Sequence, residues 1–165
     1  MVMQKSNSPE LAEEADVSLL EITQATTAVF ADLYFRMPFL FFIKHGEKKV
    51  SLSNGDEFLG KAGDLMVFPA GASVTMENRP MDDKSYRADG VGFNTRLIDD
   101  VFSDQPINAQ KQQVYILRAE EYQPFEILEL IKDTLNNQKL PPIIRRHRLL
   151  EPLLWLKQHG VVLKG

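Results

Sequence analysis

The sequence predicts a mainly β domain followed by C-terminal helices, on three observations. From Thr26 to His45 the odd positions Val29, Ala31, Leu33, Phe35, Met37, Phe39, Phe41 and Ile43 are apolar, while the even positions include Asp32, Tyr34, Arg36 and Lys44. That alternation is the period of strands with one face in a core. Turn signals then recur at His45-Gly46-Glu47, Ser53-Asn54-Gly55-Asp56, Gly60–Gly63 and Pro69-Ala70-Gly71, a rhythm that suits a sandwich or barrel of short strands. Past Asn94 the period changes, and Phe125, Leu128, Ile131 and Leu135 recur at helical spacing.

In chain order, residues 1–16 are polar and acidic and read as a flexible segment, with Ser8-Pro9 able to start a short helix. A strand is expected from Val17 to about Ile22. Pro38 has no N–H for a ladder and marks a break within the long alternating region. Lys48 to Ser53 alternates again, Val50 and Leu52 opposite Lys49 and Ser51, and Asn54-Gly55 is a strong hairpin signal. Glu57 to Leu59 returns as a strand. Leu65 to Phe68 and Val74 to Met76 are two strands around a Pro-Gly turn. Arg79 to Lys84 is a loop, and Ser85 to Asn94 a further strand carrying Tyr86, Val91 and Phe93. Thr95 to Phe102 reads as a short helix capped by Thr95, Ser103 to Gln113 as a polar loop, and Val114 to Leu117 as an isolated strand. One helix is expected from Glu120 to about Gln138, ended by Asn136, Asn137 and Pro141-Pro142. A second runs from about Ile143 to His159, with Gly160 as its C-cap; Pro152 inside it disfavours and kinks a helix, so either packing offsets it or the helix restarts there.

Length and composition bound the function. At 165 residues the chain makes one core-forming unit, and 44% hydrophobic with 25% charged residues is globular. A net charge of −4 argues against a nucleic-acid surface in this segment. The absence of cysteine excludes disulfides and thiol chemistry and fits a cytoplasmic protein. No apolar run approaches the roughly 20 residues that a membrane helix needs. Three histidines, His45, His147 and His159, lack ligand spacing to one another, and no serine elbow or Gly-rich phosphate loop is present.

The stretch around which these elements are organised is Gly63 to Asn78, GDLMVFPAGASVTMEN. A glycine, five residues, Pro69, one residue, Gly71, two residues, Val74, three residues and Asn78 give a spacing that resembles the second motif of the cupin superfamily. It departs from that motif at Val74, where the metalloenzymes carry a ligand histidine. The resemblance implies a cupin-like double-stranded β-helix, or jelly-roll, barrel over residues 17–118. In the implied register the other ligand positions fall at Leu33, Phe35 and Phe39. Leu, Phe and Val offer a metal no lone pairs, so no metal and no cofactor is expected.

A cupin-like barrel followed by two helices is similar to the N-terminal regulatory domain of AraC-family transcriptional regulators. The residues that carry this are His45-Gly46-Glu47, Gly63 to Gly71, and Leu149-Leu150-Glu151-Pro152-Leu153-Leu154-Trp155-Leu156. The resemblance implies effector sensing in the barrel, dimerisation through residues 119–165, and a C-terminal helix-turn-helix DNA-binding domain outside these residues. Contact with DNA would run through that domain alone, and no membrane partner is implied. Residues Phe35, Phe39, Phe41, Met66, Val74 and Phe93 are the candidate lining of a pocket for a small apolar or amphipathic effector, with Arg36 or the Arg145–Arg148 run meeting an acid group. The same aromatics equally suit ordinary core packing, the arginine run a solvated helix face, and the barrel surface a partner protein. The last helix has more apolar residues than one stripe holds, so Leu149, Leu150, Leu153, Leu154 and Trp155 are the candidate homodimer interface. A free-standing, metal-free cupin-like small-molecule-binding protein is the alternative, and a cupin isomerase or dioxygenase ranks below it; the expected molecule is not an enzyme.

Overall fold

The computed structural model describes residues 16–104 and 114–163 of the chain. Nine strands form first: β1 (Val17–Gln24), β2 (Ala28–Tyr34), β3 (Phe39–His45), β4 (Glu47–Ser51), β5 (Glu57–Lys61), β6 (Leu65–Phe68), β7 (Ser73–Arg79), β8 (Tyr86–Phe93) and, after helix α1 (Thr95–Phe102), β9 (Tyr115–Leu117). Helices α2 (Ala119–Tyr122), α3 (Phe125–Asn136) and α4 (Pro142–Gln158) follow. All pairings are antiparallel, in a five-stranded sheet of order β1-β8-β3-β6-β9 and a four-stranded sheet of order β2-β7-β4-β5. The two sheets face each other as a jelly roll, and among the described residues no ladder joins them into a closed barrel.

The five-stranded sheet is buried on both faces. One face packs against the second sheet through Phe41, Ile43, Met66, Phe68 and Ala88, which meet Val50, Val74 and Met76. Its other face carries Leu40, Phe42, Leu65, Val67, Val91 and Phe93, which pack under α1, α3 and α4. This double burial explains why β3 and β6 contain unbroken apolar runs, whereas β4 and β7 alternate.

The Gly63-Asp64 dipeptide ties the two layers together. Gly63 has φ of +95°, and a side chain there would press on Ala119 Cβ at 2.9 Å. Asp64 is buried, and its carboxylate accepts from Lys61 N–H (2.9 Å), Ala119 N–H (3.0 Å) and Arg118 Nη1 (2.8 Å). One aspartate thus closes the β5–β6 turn and pins the start of the helical layer. Asp89 on β8 does the same further along, paired with Lys44 Nζ at 3.0 Å and with Lys132 Nζ of α3 at 2.8 Å.

Several expectations are corrected. The odd-inward alternation fails in β2: Val29 is 59% exposed while Phe30 packs inward. A bulge between Phe30 and Leu33, with Asp32 at φ of 54°, shifts the register, and a one-residue shift exchanges the faces of a strand. The helix expected over 120–138 is split: Pro124 disfavours helical geometry in the residue before it, and Gln123 is left-handed at φ of 48°. Helix α1 is capped by Asn94, whose side chain accepts from Arg96 N–H at 2.9 Å, rather than by Thr95. The strand at 114–117 is not isolated, since β9 extends the main sheet beside β6. Of the two outcomes expected at Pro152, helix α4 takes the first: it runs on without a restart, and Pro152 packs on its buried face with Leu149, Leu153 and Leu156. Residues 1–15 and 105–113, with most of the expected flexible segment and polar loop, lie outside the described residues.

Candidate functional site

The interior between the sheets is aromatic at one end and polar at the other. Phe35, Phe39, Phe41 and Phe68 form a ring cluster with centroids 5.0–6.2 Å apart. Phe35, Phe41, Met66 and Val74 are buried in it and Phe39 packs against it. Phe93 lies on the other side of the main sheet, among the residues beneath the helices. Arg36 is exposed.

The positions that the cupin resemblance marks for metal ligands converge here. Leu33 pairs directly with Val74 across the β2–β7 ladder, and both contact the cluster that holds Phe35 and Phe39. These hydrocarbon side chains do not fit a metal ion. Among the described residues no group of three or more His, Cys, Asp or Glu is placed to hold one.

The polar end centres on Lys48, which sequence reasoning missed. Lys48 is two residues before Val50, so the period of β4 turns it inward, and it is fully buried. In the β4–β7 ladder it stands opposite Asn78, the last residue of the Gly63–Asn78 stretch. Its Nζ donates to Asn78 Oδ1 at 2.7 Å, lies 3.6 Å from Met76 Sδ, and sits 4.3 Å from the Phe41 ring centre and 5.4 Å from that of Tyr86. Asn78 Nδ2 in turn donates to Gln24 Oε1 at 3.0 Å. Among the described residues no carboxylate pairs with Lys48, and burial pulls its amine down from 10.5 to about 7. The Tyr86 hydroxyl is also buried, with no hydrogen-bond partner among the described residues, and burial pushes its phenol above the usual range.

A cavity adjoins the amine, lined by Ile22 and Gln24 of β1, Phe30 of β2, Phe41, Lys48, Met76 and Asn78. At about 10 Å³ it has room for one water. It lies between β1 and β2, the edge strands of the two sheets, where no ladder closes the jelly roll.

The last helix presents two faces. Leu149, Leu153 and Leu156 are buried in the chain's own core, while Ile143 is 77% and Leu154 52% exposed. Leu150 and Trp155 are half-buried. Ile143, His147, Leu150 and Leu154 recur at spacings of four, three and four, so the exposed Ile143 and Leu154 share one stripe, with the exposed Ile144 beside it. No helix among the described residues is long and apolar enough to cross a membrane.

No family model and no curated protein matches the sequence. Solved structures do match the fold. A structure of ToxT K231A from Vibrio cholerae, without ligand, superposes with a TM-score of 0.67 at 10% identity, over 93% of this chain and 60% of that one. Unsaturated fatty acid-bound wild-type ToxT from Vibrio cholerae gives 0.61 at 11% identity, over 90% of this chain and 57% of ToxT. ToxT from Vibrio cholerae bound to (E)-4-(8-methylnaphthalen-1-yl)but-3-enoic acid gives 0.60 at 9%, over 90% and 59%. The chain therefore spans about three fifths of the length of these AraC-family structures and shares the fold of that part.

Proposed function

We propose that this chain is the sensing and dimerising part of an AraC-type transcription regulator, and that it controls a DNA-binding domain outside these residues. The observation that supports this most strongly is the fold likeness to ToxT, which takes in strands and helices together across nearly the whole chain. Two features of the chain agree with it. The jelly-roll interior carries hydrocarbon at the positions where cupin enzymes carry metal ligands, which favours binding over metal-dependent catalysis. The ToxT structures hold an unsaturated fatty acid and a naphthyl butenoic acid, so a small amphipathic effector is the ligand class proposed for this interior.

The partner proposed for α4 is a second copy of the chain. Ile143 and Leu154 are exposed on the stripe that also carries Leu150, itself half-buried against the chain's own core, and a two-fold pairing of such stripes buries both exposed side chains. The test is to fuse the chain to a DNA-binding domain that occupies its operator only as a dimer. Repression of a reporter by the fusion, lost with Leu154→Glu, is the expected result. A fusion that stays monomeric and leaves the reporter unrepressed contradicts the proposal.

A further inference from the structure

The buried ionisable groups of this molecule divide into two kinds. Asp64 and Asp89 are each answered by cations, Arg118 for the first and Lys44 and Lys132 for the second. Among the described residues Lys48 is answered only by an amide oxygen, a thioether and two aromatic faces. An ammonium has three donors, and one strong acceptor leaves it under-satisfied in a medium where an unpaired charge is costly. A lysine there is a poor choice for filling space, because methionine fills a similar volume without the penalty. The Tyr86 hydroxyl, on a ring beside the same amine, is a second buried polar group without a partner among the described residues.

The surroundings specify what would complete the site. The cavity walls Ile22, Phe30, Phe41 and Met76 are apolar, and the polar groups Gln24, Lys48 and Asn78 gather at one place. One positive charge matches one negative charge, and so few polar groups do not match the many hydroxyls of a sugar. The site lies under the seam between β1 and β2, next to the β2 bulge and the left-handed Asp32. Parting these edge strands breaks no ladder between the sheets.

We propose that Lys48 is the counter-ion of the effector, and that the effector is a monocarboxylic acid with an apolar body, inserted between β1 and β2 with its carboxylate against Lys48 Nζ. This rests on the sensing role proposed above and names the ligand class for it. Asn78 is a positioning residue: it holds the amine in place through Oδ1 and is itself held by Gln24.

Binding is then coupled to a proton. The side chains facing Lys48 are Met76 and Asn78 from β7, Phe41 from β3, Tyr86 from β8 and Gln24 from β1. Tyr86 alone among them titrates, and burial keeps its phenol neutral. Above the amine's value of about 7, carboxylate binding must take up one proton, so affinity falls about tenfold per pH unit there.

The test is calorimetric titration of the purified chain with hexanoate, decanoate and oleate, each beside its alcohol, at roughly one pH unit below and above 7. At least one acid is expected to bind about tenfold or more tighter than its alcohol, with proton uptake at the higher pH. Lys48→Met is expected to lose that preference while remaining folded. Asn78→Asp, which supplies an internal carboxylate to the amine, is expected to weaken the acid similarly, and it serves if Lys48→Met does not fold. Equal binding of acid and alcohol, or unchanged acid affinity in the variants, overturns the counter-ion role and leaves small-molecule sensing standing. Absence of binding by all three acids overturns the ligand class, whereas the fusion reporter, which reads dimerisation without ligand, decides the dimerising role separately.

Discussion

The two sides of the five-stranded sheet differ in kind. Beneath the helices the core is rich in leucine, with Leu40, Leu65, Leu128, Leu149, Leu153 and Leu156 meeting from strands and helices around Phe42, Phe93 and Phe102. Between the sheets phenylalanines and methionine sulfur surround an amine that no anion among the described residues answers. The first side is what stability alone selects: close packing, with its buried carboxylate at Asp89 paired to two lysines. The second tolerates a penalty that packing does not explain, and such exceptions to local rules concentrate at functional sites. One sheet is thus a structural wall on one face and, under the proposal made above, the wall of a binding site on the other.

Substitutions on the two sides are expected to move stability in opposite directions. Leu153→Ala, under the helices, is expected to cost about 2–5 kcal/mol in urea unfolding, because Leu153 is fully buried and leaves a cavity. Asp64→Ala strands the Ala119 N–H and the Arg118 guanidinium at the joint between the layers, and a loss of about 1–3 kcal/mol is expected. Lys48→Met, between the sheets, is expected to raise stability by roughly 1–3 kcal/mol at neutral pH, since it replaces a buried amine by a side chain of similar volume. A loss of stability in that variant would erase the contrast between the two sides.

The pH dependence sharpens the same comparison. The folded-state value of Lys48, about 7, lies below its unfolded value of 10.5. Between those values the unfolded chain binds a proton that the folded chain does not. This group's contribution to stability therefore rises with pH across that window, by about 1.4 kcal/mol per unit, and is flat below it. Denaturant midpoints of wild type and Lys48→Met are expected to converge as pH rises toward 10.5. The smallest effect belongs to the outer face of α4: Leu154→Ser is expected to change monomer stability by about 0.5 kcal/mol or less, because the side chain is half exposed, while shifting sedimentation from dimer to monomer.

Much of the fold is legible in the sequence because its period is carried by local chemistry. Asn54-Gly55, Gly63-Asp64 and Pro69-Ala70-Gly71 set turns between runs of period two, and Phe125 to Leu135 sets a helix. The misplacements have local causes. The β2 bulge depends on a left-handed Asp32 that no pattern of apolar residues reveals, and Pro124 splits a helix whose apolar spacing is continuous across it. At the site, the apolar interior is visible as an alternating face, yet Phe93 belongs to the opposite side of its sheet, because β8 is buried on both faces and alternation no longer distinguishes them. Lys48 was legible in principle: it shares the parity of Val50 in an alternating strand, and a charged residue at an inward position is a signal to ask for its partner. That its partner is Asn78 rather than an acid depends on the β4–β7 register, which only the fold supplies.

The most direct test is to titrate the Lys48 ammonium itself, following its side-chain carbon resonance by NMR in the free protein and with a bound monocarboxylate. The account predicts a midpoint near 7 in the free protein, moving upward when the acid binds. A midpoint near the ordinary lysine value of 10.5 in the free protein would mean that the amine is already solvated or paired, and would contradict it.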